Sequence, residues 1–575
     1  MKLATGTTLA ALGAAVLLCA CAPSRPAGAP AAAAPDPKVE IVGEVRRLGP
    51  SWVGPVLPPD SENGILVGRF AGAPYDLGLA LGRLTRPWIR SQETHLDTLF
   101  TALIPGRFKR SFIRQLSAFR LRSLPDEIPR DLLVSIAGLA DGYEPVPPAS
   151  GWNAWRRLLD LHALHDVSQR FVDAPALAAA CTGFLAKTPG GLLLARNFDF
   201  EGGDVFDRQK LVSVVRPDGR IPYLSVGFSG TLGVVTGFNR EGIGVALQAL
   251  AGGETASSGE PVTLLLADVL RNESTFAGAV ERLRTARVFV SDLIFLADAK
   301  SGRIAVLEKS PSAFAVRETP GAWLGATNEA EDAAVKARAR ALPPESTSRK
   351  RRARLDVLLA RDVASLDVAG AVAILRDRTG AGGADLGHGN RNAIDASIAA
   401  HSVVLDLTHR RAWVAAFPHT LGAYVPVDLE AVLAAEDGPP APAAGPIPAD
   451  PWLGSGGFGR YREARAALAE VRALERTAGA RWLEAAAAAA ARAHALSPDF
   501  AEAAAKLGEL ELRRGNRARA QTLLDEALER DPGPAPVRAA VLAWRDAAAR
   551  GGAPPTAPIP TIPTPDELIA ERTKK

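Results

Sequence analysis

Cys181 is followed within twenty positions by Arg196, Asn197 and Asp199, while the other two cysteines, Cys19 and Cys21, lie at the far N-terminal end. A thiol attacks a carbonyl carbon only as thiolate, and free thiols near neutral pH are mostly protonated. A nucleophilic Cys181 therefore needs a base, a neighbouring cation, or both. Arg196 is always cationic and favours the thiolate; Asp199 is a carboxylate suited to hold an ammonium in place. Two bases are open. Four of the eight histidines, His388, His401, His409 and His419, fall in the same stretch of chain, but none sits in a recognisable catalytic signature. The second is the α-amino group of Cys181 itself, freed if the Ala180–Cys181 bond is cut and titrating at about 7.7–8.0. The same thiol makes that cut: it attacks the carbonyl of Ala180, the acyl group shifts from nitrogen to sulfur, and water separates the two pieces. Small residues at 178–180 leave room for the strained turn. On a straight strand residues 196 and 199 face opposite ways, so the strand must end or bulge between them.

The elements that must position these groups change type at Cys181. Before it, residues 64–70 read as a strand, and residues 75–103 and 152–171 show helical apolar spacing. After it, short apolar runs at 192–195, 211–215, 223–226, 233–236 and 244–247 are separated by Gly, Pro and Asp turns and read as strands. Helices are expected at 261–271, 275–285, 349–360 and 365–376, with further strands at 292–297, 304–308, 314–316, 402–405 and 412–415. Strands, helices and strands again in one segment predict layered sheets with helices outside.

The string Cys181-Thr182-Gly183, a glycine turn, an apolar strand and Arg196-Asn197-Phe198-Asp199 resembles the opening of N-terminal-nucleophile (Ntn) amidohydrolases of the choloylglycine hydrolase and penicillin acyltransferase-like group. The run Asn239-Arg240-Glu241-Gly242-Ile243-Gly244 resembles a turn of that group, and Gln248 then stands where bile-salt hydrolases carry an oxyanion asparagine. Residues 324–328, LGATN, resemble the strand end bearing the second oxyanion asparagine, here Asn328; Glu329 follows where the acyltransferases usually have histidine. Residues 348–359 resemble the helix that carries a further active-site arginine, assigned to Arg351 over Arg352, and residues 424–428 resemble the terminal strand. The resemblance covers about residues 64–433. It implies an α+β fold, a four-layer αββα sandwich, acting without metal or cofactor on a small-molecule N-acyl amide. Its C–N bond is hydrolysed or its acyl group transferred, with hydrolysis favoured because an exported enzyme lacks an evident acyl-CoA supply. Cys181, Arg196, Asp199, Gln248, Asn328 and Arg351 form the expected site, and the processed fragments stay together.

Composition sets the frame. At 575 residues, 47% hydrophobic and 23% charged, the chain is globular material for two or three domains, and a net charge of +4 does not argue for nucleic acid. No CxxC or HExxH-like spacing occurs, and the glycine-rich residues 380–389 lack a phosphate-loop lysine, so they read as a loop. Residues 1–20 read as a signal, and the sequence ending at Cys21 resembles a bacterial lipobox, with a plain cleaved signal as the alternative. The expectation is an exported protein held to the cell envelope by a lipid on Cys21, at the periplasmic face of the outer membrane if the cell is Gram-negative. The expected domains are a leash at 21–45, a mainly helical pro-segment at 46–180, the catalytic domain at 181–437 and a Pro/Ala/Gly linker at 438–451. A tetratricopeptide-like helical domain at 452–550, open to a protein partner, and a disordered tail at 551–575 complete the chain. The rival reading is a non-catalytic lipoprotein scaffold working through those helices. The two differ in what removal of residues 452–575 does, since an enzyme is expected to keep turnover without them.

Overall fold

The computed structural model describes residues 25–26, 38–57, 63–144, 153–169, 181–477 and 482–573. Cys21, the signal, Ala180 and most of the expected leash lie outside the described residues. Two β-sheets form the centre. The larger has eleven strands in the order Glu40–Val42, Val45–Leu48, Ser51–Val56, Ile65–Gly72, Lys210–Pro217, Tyr223–Phe228, Thr236–Asn239, Ile243–Ala249, Asp292–Asp298, Arg303–Lys309 and Phe314–Glu318. The smaller has six: Trp323–Ala326, Thr182–Thr188, Gly191–Phe198, His401–Asp406, Arg411–Ala415 and Tyr424–Asp428. Ile65–Gly72 joins Lys210–Pro217 in parallel, so the chain before Cys181 is stitched into the same sheet as the chain after it.

Period-two alternation decides which side chains meet. Along Gly191–Phe198, Leu192 and Leu194 enter the core between the sheets, with Leu185, Val212, Phe238, Phe295 and Val403. Leu193 and Ala195 face the other way, onto the helices Thr347–Asp362 and Val368–Leu375. The far side of the large sheet carries Pro74–Leu84, Arg130–Tyr143 and Val262–Asn272. The result is helix, sheet, sheet, helix, the layering expected for an α+β chain. Among the described residues no helix is long and apolar enough to cross a membrane.

Several boundaries differ from expectation. The segment before Cys181 is not helical after a single strand: three short strands from Glu40 to Val56 extend the large sheet, taking in residues assigned to the leash. The strand expected at 233–236 begins only at Thr236. Residues just before it leave the sheet because Leu232 N–H donates to His162 Nε2 at 2.9 Å and Val234 N–H to Thr263 O at 2.8 Å. The tail is ordered through residue 573. Ile559 is buried, and the helix Pro565–Thr573 places Glu567 and Glu571, four residues apart, against Arg465 and Arg472 at 2.6–2.8 Å.

The C-terminal region is helical, with Ala501–Arg513 and Arg517–Glu529 packed side by side, and it grips the two-sheet body. Phe417 and Leu421 share one core with Phe458, Tyr461 and Phe500 across the 438–451 linker. Asn390 and Asn392 donate to the carbonyls of Arg530, Asp531 and Gly533 at 2.8–3.0 Å, and Lys350 pairs with the Asp531 carboxylate at 2.6 Å. Gly389, at φ +73°, lets the loop touch the Tyr461 hydroxyl, which a Cβ there would meet at 2.1 Å. Each apolar side chain buried in the shared core contributes about 1.5–3 kcal/mol, a large part of a net stability of about 5–15 kcal/mol. Removal of residues 452–575 is therefore expected to abolish cooperative thermal unfolding and turnover together. A truncated chain with unchanged melting temperature and activity would contradict this docking.

Candidate active site

The hairpin Thr182–Thr188 and Gly191–Phe198 pairs Thr182 with Asn197 and Gly183 with Arg196. Cys181, fully buried, stands at the head of this ladder and packs against Phe198, Phe206 and Ala400. Gly183 is required by the same register. A Cβ there would lie 2.8 Å from Gln248 Oε1, 2.8 Å from the Phe295 ring and 3.1 Å from Arg196 Cβ, so only glycine lets the sheets close around the arginine.

Arg196 points into the space between the sheets. Its Nη1 donates to Val235 O at 3.1 Å and Thr236 Oγ1 at 3.2 Å, its guanidinium lies over the Phe198 ring at 4.6 Å, and it reaches the Cys181 thiol. Asn197 faces the opposite way, donating to Leu375 O and Ile394 O and accepting from Ser402 Oγ, and so ties the sheet to its outer helices. The strand ends at Phe198. That ending frees Asp199 from the alternation, so Arg196 and Asp199 both lie by Cys181.

The electrostatics are those of a buried site. Burial pushes the Cys181 thiol up, with Arg196 and Arg351 opposing and Asp199 reinforcing the shift. Asp199 is raised to about 7 by burial, against the pull of Arg351, Arg391 and Arg196. Neither of its carboxylate oxygens has a hydrogen-bond partner among the described residues. No histidine serves the thiol there. His401 stacks on Phe198 but bonds Thr236 Oγ1 at 3.0 Å, and burial holds its ring well below the ordinary range. His388 stacks on Trp452, His409 bonds Asp406, and His419 bonds Ala399 O.

Arg351 is the one member of its basic run brought to Cys181. It is buried, donating to Cys181 O and Thr182 Oγ1 at 2.6 Å and to Asn328 Oδ1 at 3.0 Å. Arg349, Arg352 and Arg354 pair instead with Glu329, Asp356 and Asp377. Asn328 spends one amide hydrogen on Ala249 O at 2.9 Å, leaving the other without an acceptor among the described residues. Gln248 differs from expectation: its amide donates to both Ala326 O at 3.2 Å and Thr327 O at 2.6 Å, which leaves no hydrogen for an oxyanion. The extra methylene of glutamine over asparagine carries the amide to the neighbouring strand, where it holds the 326–328 end.

Two further features were not singled out from the sequence. Arg391, on the loop held by the C-terminal helices, forms a buried pair with Glu201 at 2.8 Å just beyond Asp199; its position directly after the glycine-rich stretch was the available signal. A cavity of about 80 Å³ adjoins Phe198, lined by Leu96, Phe200, Phe206 and Phe228, with Gln92, Glu93, His162, His165 and the hydroxyls of Ser229, Thr231 and Thr263 as its polar groups. Three of its aromatics fall within nine residues, at 198, 200 and 206, a local density that marks a lining in a chain only 6% aromatic. Among the described residues no cluster of three or more His, Cys, Asp or Glu side chains is arranged to hold a metal ion.

Over residues 186–414 the chain matches the model of a family described as acyl-coenzyme A:6-aminopenicillanic acid acyl-transferase, a span that begins just after Cys181 and includes Arg196, Asp199, Gln248, Asn328 and Arg351. No curated protein matches the chain. Among solved structures it is similar to a Caenorhabditis elegans N-acylethanolamine-hydrolyzing acid amidase ortholog, at 18% identity over 40% of this chain and 93% of that one, with a TM-score of 0.31. It is similar to penicillin V acylase from Agrobacterium tumefaciens at 15% identity, over 45% and 89% of the two chains, with a TM-score of 0.31. A variant of conjugated bile acid hydrolase from Clostridium perfringens follows at 14% identity, 44% and 93%, and 0.30.

Proposed function

We propose that the chain is a cysteine Ntn hydrolase, activated by its own cleavage before Cys181, that hydrolyses the linear amide bond of N-acyl compounds. The observation that carries this reading is a buried thiol flanked by Arg196 and Arg351, beside a buried carboxylate with no hydrogen-bond donor, and without a histidine bonded to it. Such a site offers the thiol no histidine in the uncut chain and gains an amine base when Cys181 becomes an N-terminus. The amide hydrolysis and acyl transfer named by the similar proteins, from N-acylethanolamines to penicillin V and conjugated bile acids, fall in the same reaction class.

In the cut enzyme the α-amine takes the Cys181 proton and the sulfur attacks the acyl carbonyl. The amine then protonates the leaving nitrogen, and water attacks the resulting thioester to return the thiol. Arg196 favours the thiolate, Asp199 holds the ammonium, and the free N–H of Asn328 stabilises the oxyanion. Arg351 and Gln248 are positioning residues, holding Cys181 O, Asn328 and the 326–328 strand end. The aromatic cavity takes an apolar acyl group. Export and lipidation at Cys21 belong to the same proposal and rest on the lipobox-like sequence ending there.

With an N-acyl amide carrying an alkyl acyl chain, Cys181→Ala is expected to lower turnover by roughly four orders of magnitude or more, and Asn328→Ala to lower kcat about 10²–10³-fold. Unchanged turnover in Cys181→Ala would sink the reading.

Asp199 supplies a second test through stability. Its carboxyl is raised in the fold to about 7, from about 3.8 for an exposed aspartate, so the folded chain binds the extra proton between those values. Stability contributed by the protonated group is present at low pH and lost as pH rises through about 7. In the uncleaved Cys181→Ala background, Asp199→Asn is expected to raise the melting temperature at pH 8, by up to about 4 kcal/mol of stability, and to change little at pH 4. An equal effect at both pH values would contradict the buried, unpartnered carboxylate.

A further inference from the structure

The helix Arg107–Arg120 is built inside out. The side that meets the body is polar. Arg110 Nη1 donates to Ile104 O at 2.8 Å, and Arg114 pairs with Asp97 while covering the Phe100 ring at 5.4 Å. The opposite side is apolar and open: Phe108 is 92% exposed, Phe112 67%, Phe119 44% and Leu116 42%. Steps of four, four and three place these four side chains on one stripe of the helix. The three exposed phenylalanines among the described residues all belong to it. A surface of this kind marks an interaction site rather than scattered surface apolarity.

Charge identifies the partner. Residues 105–123 contain six basic residues and no acidic one. Arg107 and Lys109 are exposed beside the stripe, and the Arg122 guanidinium sits over the Phe119 ring at 4.1 Å. Protein interfaces are depleted in lysine and rich in paired opposite charges. A phenylalanine stripe bordered by uncompensated Lys and Arg is instead the pattern of helices that lie in the headgroup layer of anionic membranes. Fourteen residues make a helix about 21 Å long, too short for a hydrocarbon core of about 30 Å, so the fit is lengthwise on the surface.

We propose that Arg107–Arg120 is a membrane-surface helix that inserts Phe108, Phe112, Leu116 and Phe119 into an anionic lipid leaflet while Arg107, Lys109 and Arg122 meet its headgroups. The contact is independent of any lipid at Cys21. It also sets the bilayer one helix away from the cavity beside Cys181, because Arg86–Leu103 presents Asp97 and Phe100 to this helix and Ile89, Gln92 and Leu96 to the cavity.

The test is vesicle co-sedimentation of the full chain carrying Cys21→Ser, so that no lipid is attached. Phosphatidylcholine vesicles with phosphatidylglycerol are compared with phosphatidylcholine alone. Binding to the anionic vesicles is expected to be roughly tenfold tighter or more. Phe108→Asp/Phe112→Asp is expected to lose it at an unchanged melting temperature, since both side chains are exposed. Arg107→Glu/Lys109→Glu keeps the aromatic stripe and is expected to lose the preference for anionic lipid. Equal binding by the parent and both double variants would overturn the proposal. So would a concentration-dependent dimer that the phenylalanine variant dissolves while vesicle binding stays the same, because a second copy would then be what covers the stripe.

Discussion

The structure depends on burying one guanidinium between two sheets. An arginine removed from water loses hydration worth several kcal/mol unless every side of it is met. Here Val235 O and Thr236 Oγ1 accept from Nη1 of Arg196 and the face of Phe198 covers the group, while Nε and Nη2, beside Cys181, have no hydrogen-bond partner among the described residues, so the cost is offset only in part. Gly183 gives up its side chain so that the sheets can close over the group, and the strand ends one residue before Asp199 so that a carboxylate shares the space. Thiol, guanidinium and carboxylate thus share one buried volume, where charge interactions are strong and each group perturbs the next.

A second arginine holds that volume from outside. Arg351 donates to Cys181 O, Thr182 Oγ1 and Asn328 Oδ1, coupling the backbone of Cys181 to the candidate oxyanion donor. Its neighbour Lys350 pairs with Asp531, and Asn390 and Asn392 bind the same C-terminal turn on either side of Arg391, which pairs with Glu201. The helical C-terminal region therefore braces both the arginine helix and the loop behind Asp199. This placement gives it a structural task, bracing the surroundings of Cys181 and Asp199.

Much of this was legible because it is local. Apolar runs at 192–195 and 244–247 marked strands that the structure contains, and a lone cysteine followed by an arginine and an aspartate marked side chains that the structure brings together. The condition that the strand end between Arg196 and Asp199 came from pleat geometry alone. What escaped notice is set by contacts distant in sequence. The strands from Glu40 to Val56 carry charges and little apolar pattern, and they form because Ile65–Gly72 offers an edge. The tail looked disordered because Pro and Thr dominate it, yet Glu567 and Glu571 find arginines almost a hundred residues earlier. The reach of Gln248 is a matter of one methylene, which motif position does not reveal. The aromatic cavity is assembled from helices before Cys181 and strands after it, so no single segment displays it.

The central claim is that Cys181 becomes a chain terminus and that its own amine is the catalytic base. N-terminal sequencing of the larger fragment of the purified, active protein tests it most directly. The account predicts a sequence beginning Cys-Thr-Gly-Phe, with the preceding segment retained as a second chain. An active protein in which the 180–181 bond is intact, or whose larger fragment begins at any other residue, would contradict it.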